Sequence, residues 1–149
     1  MAQTRNFLDG MKKMTGQGSG KNIVIDTYAW IEYFRGSEEG LKAKGFIDGA
    51  FSLFTPSIVV AELSDKYRRE EIAEWDSRRK FISVKSRILE LDETIADKSG
   101  ELKHYLRKLH KDAGLADAIV FAHANIINAK ILGGDKHLKD LKESIDITK

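Results

Sequence analysis

From residue 23 onward, short β-branched apolar runs alternate with longer stretches of helical spacing, and Gly, Pro or Asp marks most of the changes. Residues 23–25 are too few for a helix and have the character of a buried parallel strand. Residues 29–34 switch to helical spacing and stop at Gly36, and residues 38–49 predict a polar-faced helix. A second strand is expected over 51–55, closing on Pro56, with Ser57 as the N-cap of a helix opening at 58–63. That helix is expected to continue as a charged helix over 65–81, with Asp65/Arg69 and Asp76/Lys80 at i,i+4 spacing. Residues 87–91 predict a third strand, and 93–111 an amphipathic helix with Ile95, Leu102, Leu106 and Leu109 facing inward. Residues 115–128 form a strongly apolar helical stretch, followed by a fourth strand at 130–132 ended by Gly133 and Gly134. A short helix over 136–142 and a last strand over 145–147 complete the pattern. The expected class is α/β, a three-layer sandwich whose central, mostly parallel sheet of about 4–5 strands is covered by helices.

Composition narrows this picture without changing it. With 149 residues the chain is sized for one domain. Residues 1–21, ending in a Gly/Ser/Gln-rich stretch, read as a flexible tail ahead of a domain at 22–149, with Phe7, Leu8, Met11 and Met14 spaced for a short amphipathic turn. No apolar run approaches the roughly 20 residues of a membrane span, and the start of the chain lacks the apolar core of a secretory signal. There is no cysteine, which excludes disulfides and thiolate metal sites and fits a reducing cytoplasm. With 25 basic against 23 acidic residues, any nucleic-acid partner must be met by unevenly placed cations rather than by excess charge.

Four acids stand where the pattern predicts burial. Asp26 directly follows NIVI and Asp135 directly follows AKILGG, so both belong at the carboxyl ends of strands, where parallel sheets bind ligands. Glu62 interrupts SIVVAEL, and Asp117 lies within LADAIVFAHA. Burying an ionised carboxylate alone costs several kcal/mol. Each acid has a private solution: Asp26 caps the next helix, Glu62 pairs with Lys66, Asp117 turns outward. For all four together, a shared divalent cation is the more economical answer, and an all-oxygen set suits Mg²⁺ or Mn²⁺. His104, His110, His123 and His137 show no zinc spacing and read as packed or solvated side chains. Without a cysteine or a Gly-x-Ser-x-Gly turn, nucleophilic triads are unsupported.

These same stretches resemble the motifs of PIN domains. VIDTYAWIEYF is similar to the opening motif, TPSIVVAEL to the second, GLADAIVFAHA to the third and ILGGDKHLKDL to the fourth. The four acids follow one another at intervals of 36, 55 and 18 residues, and the resemblance spans roughly residues 22–148. It departs from the family at Gly133 and Gly134, where many relatives carry Thr or Ser.

The resemblance implies a PIN-like fold and a metal site of Asp26, Glu62, Asp117 and Asp135, with Thr27 supporting it; Asp112 and Asp140 are expected on helix surfaces. It implies an Mg²⁺- or Mn²⁺-dependent endoribonuclease, the toxin of a VapBC-type pair, with RNA as substrate, a small antitoxin as partner and a homodimer as assembly. Lys136 and Lys139 are the cations nearest that site, while Arg68, Arg69, Arg78, Arg79 and Lys80 form either a phosphate track or a solvated helix face. Trp30 and Phe34 are expected in the core, and Tyr33, Tyr67 and Trp75 are open between core and partner groove. Other readings are a PIN nuclease of rRNA or tRNA maturation and a non-catalytic PIN-like interaction module. A receiver-like domain phosphorylated on Asp26 is disfavoured because Asp26 lacks the neighbouring acid such a site needs.

Overall fold

Every residue of the NIVI run is buried, so its strand must lie where both faces of a sheet are covered. The computed structural model describes residues 21–49 and 51–149; the tail expected over 1–21 lies, except for Lys21, outside them. Among the described residues the order is β1 (Asn22–Ile25), α1 (Thr27–Arg35), α2 (Glu38–Ile47), β2 (Ser52–Pro56), α3 (Ser57–Arg69), α4 (Trp75–Lys85), β3 (Arg87–Leu89), α5 (Glu93–Leu109), α6 (Leu115–Ile126), β4 (Lys130–Gly133) and β5 (Ser144–Asp146). The five strands form one sheet in the order β3-β2-β1-β4-β5. All four pairings are parallel, and Val24 lies between Phe54 and Ile131. The expected α/β class is therefore observed, with the sheet wholly rather than mostly parallel. Among the described residues no helix is long and apolar enough to cross a membrane.

The chain leaves β1 towards β2 and β3, then returns to lay β4 on the other side of β1. Strand order thus reverses between β1 and β4, and a crevice opens beyond their carboxyl ends. The core runs through this centre, with Ile23, Val24, Ile25, Leu132 and Trp30 fully buried. The Trp30 indole donates to Thr55 Oγ1 at 3.1 Å, and Thr55 meets Ser86 Oγ at 2.6 Å, so these buried polar groups are satisfied. In α6 every residue from Ala118 to Ala124 is buried, which explains its unbroken apolar sequence.

Four local expectations are corrected. The helix expected to run through residue 81 breaks between α3 and α4. Glu71 takes φ 54, the Ile72 amide donates to Tyr67 O at 2.9 Å and the Glu71 amide to Arg68 O at 3.2 Å, a Schellman stop. The break turns Trp75 back onto Tyr67, their rings stacked at 5.5 Å, and both side chains are buried. Tyr67 and Trp75 are core, so they form no partner groove, whereas Tyr33 and Phe34 are half-buried beside Phe81.

The helix expected over 136–142 is a run of turns. There the Asp135 carboxylate accepts from the His137 amide at 2.8 Å, a side-chain turn that competes with helix formation. Ser57 is not an N-cap: Pro56 holds that position, with no side-chain cap hydrogen bond. Nor do Asp112 and Asp140 sit on helices; both lie in turns.

Candidate metal centre

Asp26 leaves the end of β1, where its amide donates to Leu132 O of β4 at 3.1 Å. Its carboxylate is divided in use. Oδ1 accepts from Ala29 N at 2.9 Å and caps α1, while Oδ2 is buried with no hydrogen-bond partner. The cap and the shared-site readings of Asp26 are thus compatible, one oxygen serving each. Oδ2 lies directly over the backbone of Gly133: a Cβ there would stand 2.0 Å from it and 2.3 Å from Cγ. Gly134 is held close in the same way, by the Tyr28 ring and Thr148. The departure from the resembled motif therefore has a local cause, since this strand end passes too near Asp26 and Tyr28 to carry side chains.

Glu62 does not pair with Lys66, which bonds Glu70 instead at 2.8 Å. It accepts from Thr27 Oγ1 at 2.6 Å, tying α3 to the first residue of α1. Asp117 does not turn outward; its Oδ2 accepts from Gly114 N at 3.1 Å as the third residue of α6. Asp135 follows β4 and is fixed by the turn to His137. The four acids and Thr27 line one cavity of about 170 Å³, walled by Tyr28, Ile31, Val120 and Leu138.

This crowding is electrostatically unfavourable for an apo site. Burial pushes the Asp26 carboxyl up to about 8; the Ala29 amide opposes the rise, and the charges of Asp135, Glu62 and Asp117 add to it. Burial also raises Glu62, against the Thr27 hydrogen bond and with help from Asp117 and Asp135. Asp117 is raised by burial and by Asp135, against its bonds to Gly114 and His137. A positive ion would relieve all of these at once. The orphaned, buried Asp26 Oδ2 and an oxygen-rich donor set fit a hard divalent cation such as Mg²⁺ or Mn²⁺.

A packed or solvated role for every histidine was too broad an expectation. It fits His123, which is buried in α6 and held neutral by burial, its pKa pulled down to about 4. His137 instead stands at the acids: Nδ1 is 3.0 Å from Asp117 Oδ2 and 3.5 Å from Asp135 Oδ1, and Nε2 is 3.1 Å from Asp112 Oδ1. Burial pulls this imidazole down, but the close Asp112 carboxylate and the charges of Asp117 and Asp135 outweigh it and hold the pKa above the usual histidine value. The only available signal was its position two residues after Asp135, in a segment expected to be helical.

Of the expected cations, Lys136 is exposed and paired with Asp112 at 3.1 Å, and Lys139 is half-buried, its charge acting on Asp146. Arg69 pairs with Asp65 at 2.9 Å, Arg68 bonds Ser64 at 3.1 Å, and Arg78 lies 5.2 Å over the Phe34 and Tyr67 rings. Arg68 and Arg69 are engaged along their own helix and Arg78 with rings of α1 and α3, and none of the three lines the cavity.

The family model described as PIN domain matches residues 23–144. No curated protein matches the chain in sequence. Among solved structures, a toxin–antitoxin complex from Klebsiella pneumoniae is similar at TM-score 0.66 and 19% identity, over 84% of this chain and 97% of that one. DNA-bound VapBC from Salmonella typhimurium is similar at TM-score 0.62 and 15% identity, over 85% and 98%. VapBC-1 from nontypeable Haemophilus influenzae follows at 0.61 and 19%, over 86% and 99%. At such identities the likeness is one of fold.

Proposed function

The chain belongs to the PIN domain family, and from that premise we propose that it is a metal-dependent endoribonuclease acting as the toxin of a VapBC-type pair. The observation that carries the nuclease reading is the meeting of four carboxylates from four separate elements in one cavity at the switch point, with Asp26 Oδ2 buried and unpaired. Asp26, Glu62, Asp117 and Asp135 are the proposed ligand set, and Thr27 orients Glu62. Bound Mg²⁺ or Mn²⁺ would acidify a water, polarise the scissile phosphate and stabilise the leaving oxygen.

The protein's own groups do the rest. Glu62 is the most solvent-accessible of the four acids by residue, which suits it to orient the attacking water and take its proton. Ile31, Val120 and Leu138 supply the apolar part of the cavity wall against which the acids are set. Lys136 and Lys139 follow Asp135 in the turns after β4 and are the proposed contacts for RNA phosphates.

The toxin role draws on similar structures that are described as toxin–antitoxin complexes. A small antitoxin is the proposed protein partner, and the cytoplasm the proposed location. Leu109, expected to face inward, is instead about half exposed, and with Tyr105 and Leu115, roughly half exposed where α5 meets α6, it supports a homodimer.

RNA cleavage by the purified chain in Mg²⁺ or Mn²⁺ should disappear with chelator and with Asp117→Asn. Folded wild-type protein that leaves varied RNAs intact with metal present would overturn the nuclease reading and favour an interaction module. A short adjacent gene for a DNA-binding protein supports the toxin role; an isolated gene supports RNA maturation.

A further inference from the structure

Beyond the four acids, the site contains a nitrogen donor that the expected ligand set does not use. Ligand atoms of Asp117, Asp135 and His137 all lie within 4.8 Å of one another. The 3.0 Å between His137 Nδ1 and Asp117 Oδ2 matches the spacing of adjacent donors on a six-coordinate ion whose bonds are about 2.1 Å long. Without an ion, a proton between Nδ1 and the carboxylate explains the same distance. What separates His137 from an ordinary ion-paired histidine is its other face. Asp112 Oδ1 lies 3.1 Å from Nε2, which is buried and makes no aligned hydrogen bond; a small rotation lets Nε2 donate its proton to Asp112 and leaves the Nδ1 lone pair facing Asp117 and Asp135. A carboxylate behind a histidine is the usual support of a metal-bound imidazole. The ring is also well fixed: its side chain is only 13% exposed, its backbone amide is bonded to Asp135, and Leu138 beside it is buried.

We propose, resting on the metal-centre reading above, that His137 is a fifth ligand of that centre through Nδ1, that Asp112 is its positioning residue, and that the nitrogen donor shifts the site's preference from Mg²⁺ towards Mn²⁺. Mg²⁺ favours oxygen ligands and retained waters, whereas affinity for an imidazole-bearing site rises along the first-row transition ions.

The test is metal binding, read apart from cleavage. Calorimetry with Mn²⁺ and with Mg²⁺, and pulsed electron paramagnetic resonance of the Mn²⁺-loaded protein, are compared for wild type, His137→Ala and Asp112→Ala. Wild type should show a directly bound ¹⁴N, and His137→Ala should lose it together with roughly tenfold or more of Mn²⁺ affinity while Mg²⁺ affinity changes much less. Asp112→Ala should keep the nitrogen signal and lose Mn²⁺ affinity about 10-fold, the scale of outer-shell effects at metal sites. If His137→Ala does not fold, His137→Asn places an oxygen near the Nδ1 position, and binding should persist without the nitrogen signal. Mn²⁺ that binds in an Asp26- and Asp117-dependent way with no ¹⁴N coupling overturns this proposal and leaves the metal centre standing. Wild type that binds neither ion overturns both.

Discussion

Replacing Asp26 with asparagine removes a buried charge while leaving Oδ1 to accept from Ala29 N, so the cap of α1 survives. In the chelated protein the Asp26 carboxyl is raised from 3.8 to about 8, chiefly by burial. The folded state therefore holds a proton that the unfolded chain releases between those two values. Its contribution to stability is fully present below the unfolded value, falls as pH rises, and levels off above about 8. Each unit in that window is worth 1.36 kcal/mol, so wild type should lose about 4 kcal/mol relative to Asp26→Asn between about pH 5 and about pH 8. Urea unfolding of both proteins in chelator, at matched pH values, measures the difference and cancels the other titrating groups. Stabilities that stay parallel across the range would refute the buried-charge argument. A saturating cation at a hundredfold its dissociation constant should then restore about 2.7 kcal/mol to wild type and nothing to the variant.

Two further substitutions test the local reasoning. Glu71 closes α3 at φ 54, a left-handed position that suits glycine, so Glu71→Gly should raise stability by about 1 kcal/mol in thermal or urea unfolding. Gly133→Ala places a methyl carbon 2.0 Å from Asp26 Oδ2. It should cost about 1–3 kcal/mol by overpacking and weaken cation binding in calorimetry; an unchanged affinity would show that Asp26 does not need that approach.

Strand and helix identity, and the two acids at strand ends, follow from local pattern. NIVI and AKILGG are apolar enough to be buried on both faces, and whatever acid follows such a run emerges at the carboxyl rim of a parallel sheet. Periodicity also marked Glu62 and Asp117 as anomalous within apolar stretches. It did not say that they meet, because a helical period gives the buried face and not the element that will cover it. That was decided by strand order: laying β4 beside β1 opens the crevice that α1, α3 and α6 line with Thr27, Glu62 and Asp117.

The break at Glu71 was hidden because no Gly or Pro marks it; its driving force is the burial of Trp75 against Tyr67, a contact between two elements. His137 was hidden for the same kind of reason. A helix over 136–142 would have carried its ring along a surface face, whereas the turn formed by Asp135 directs it to Asp117 and Asp112. Sequence thus determined where single carboxylates leave the core, and tertiary structure determined which of them, and which imidazole, share one space.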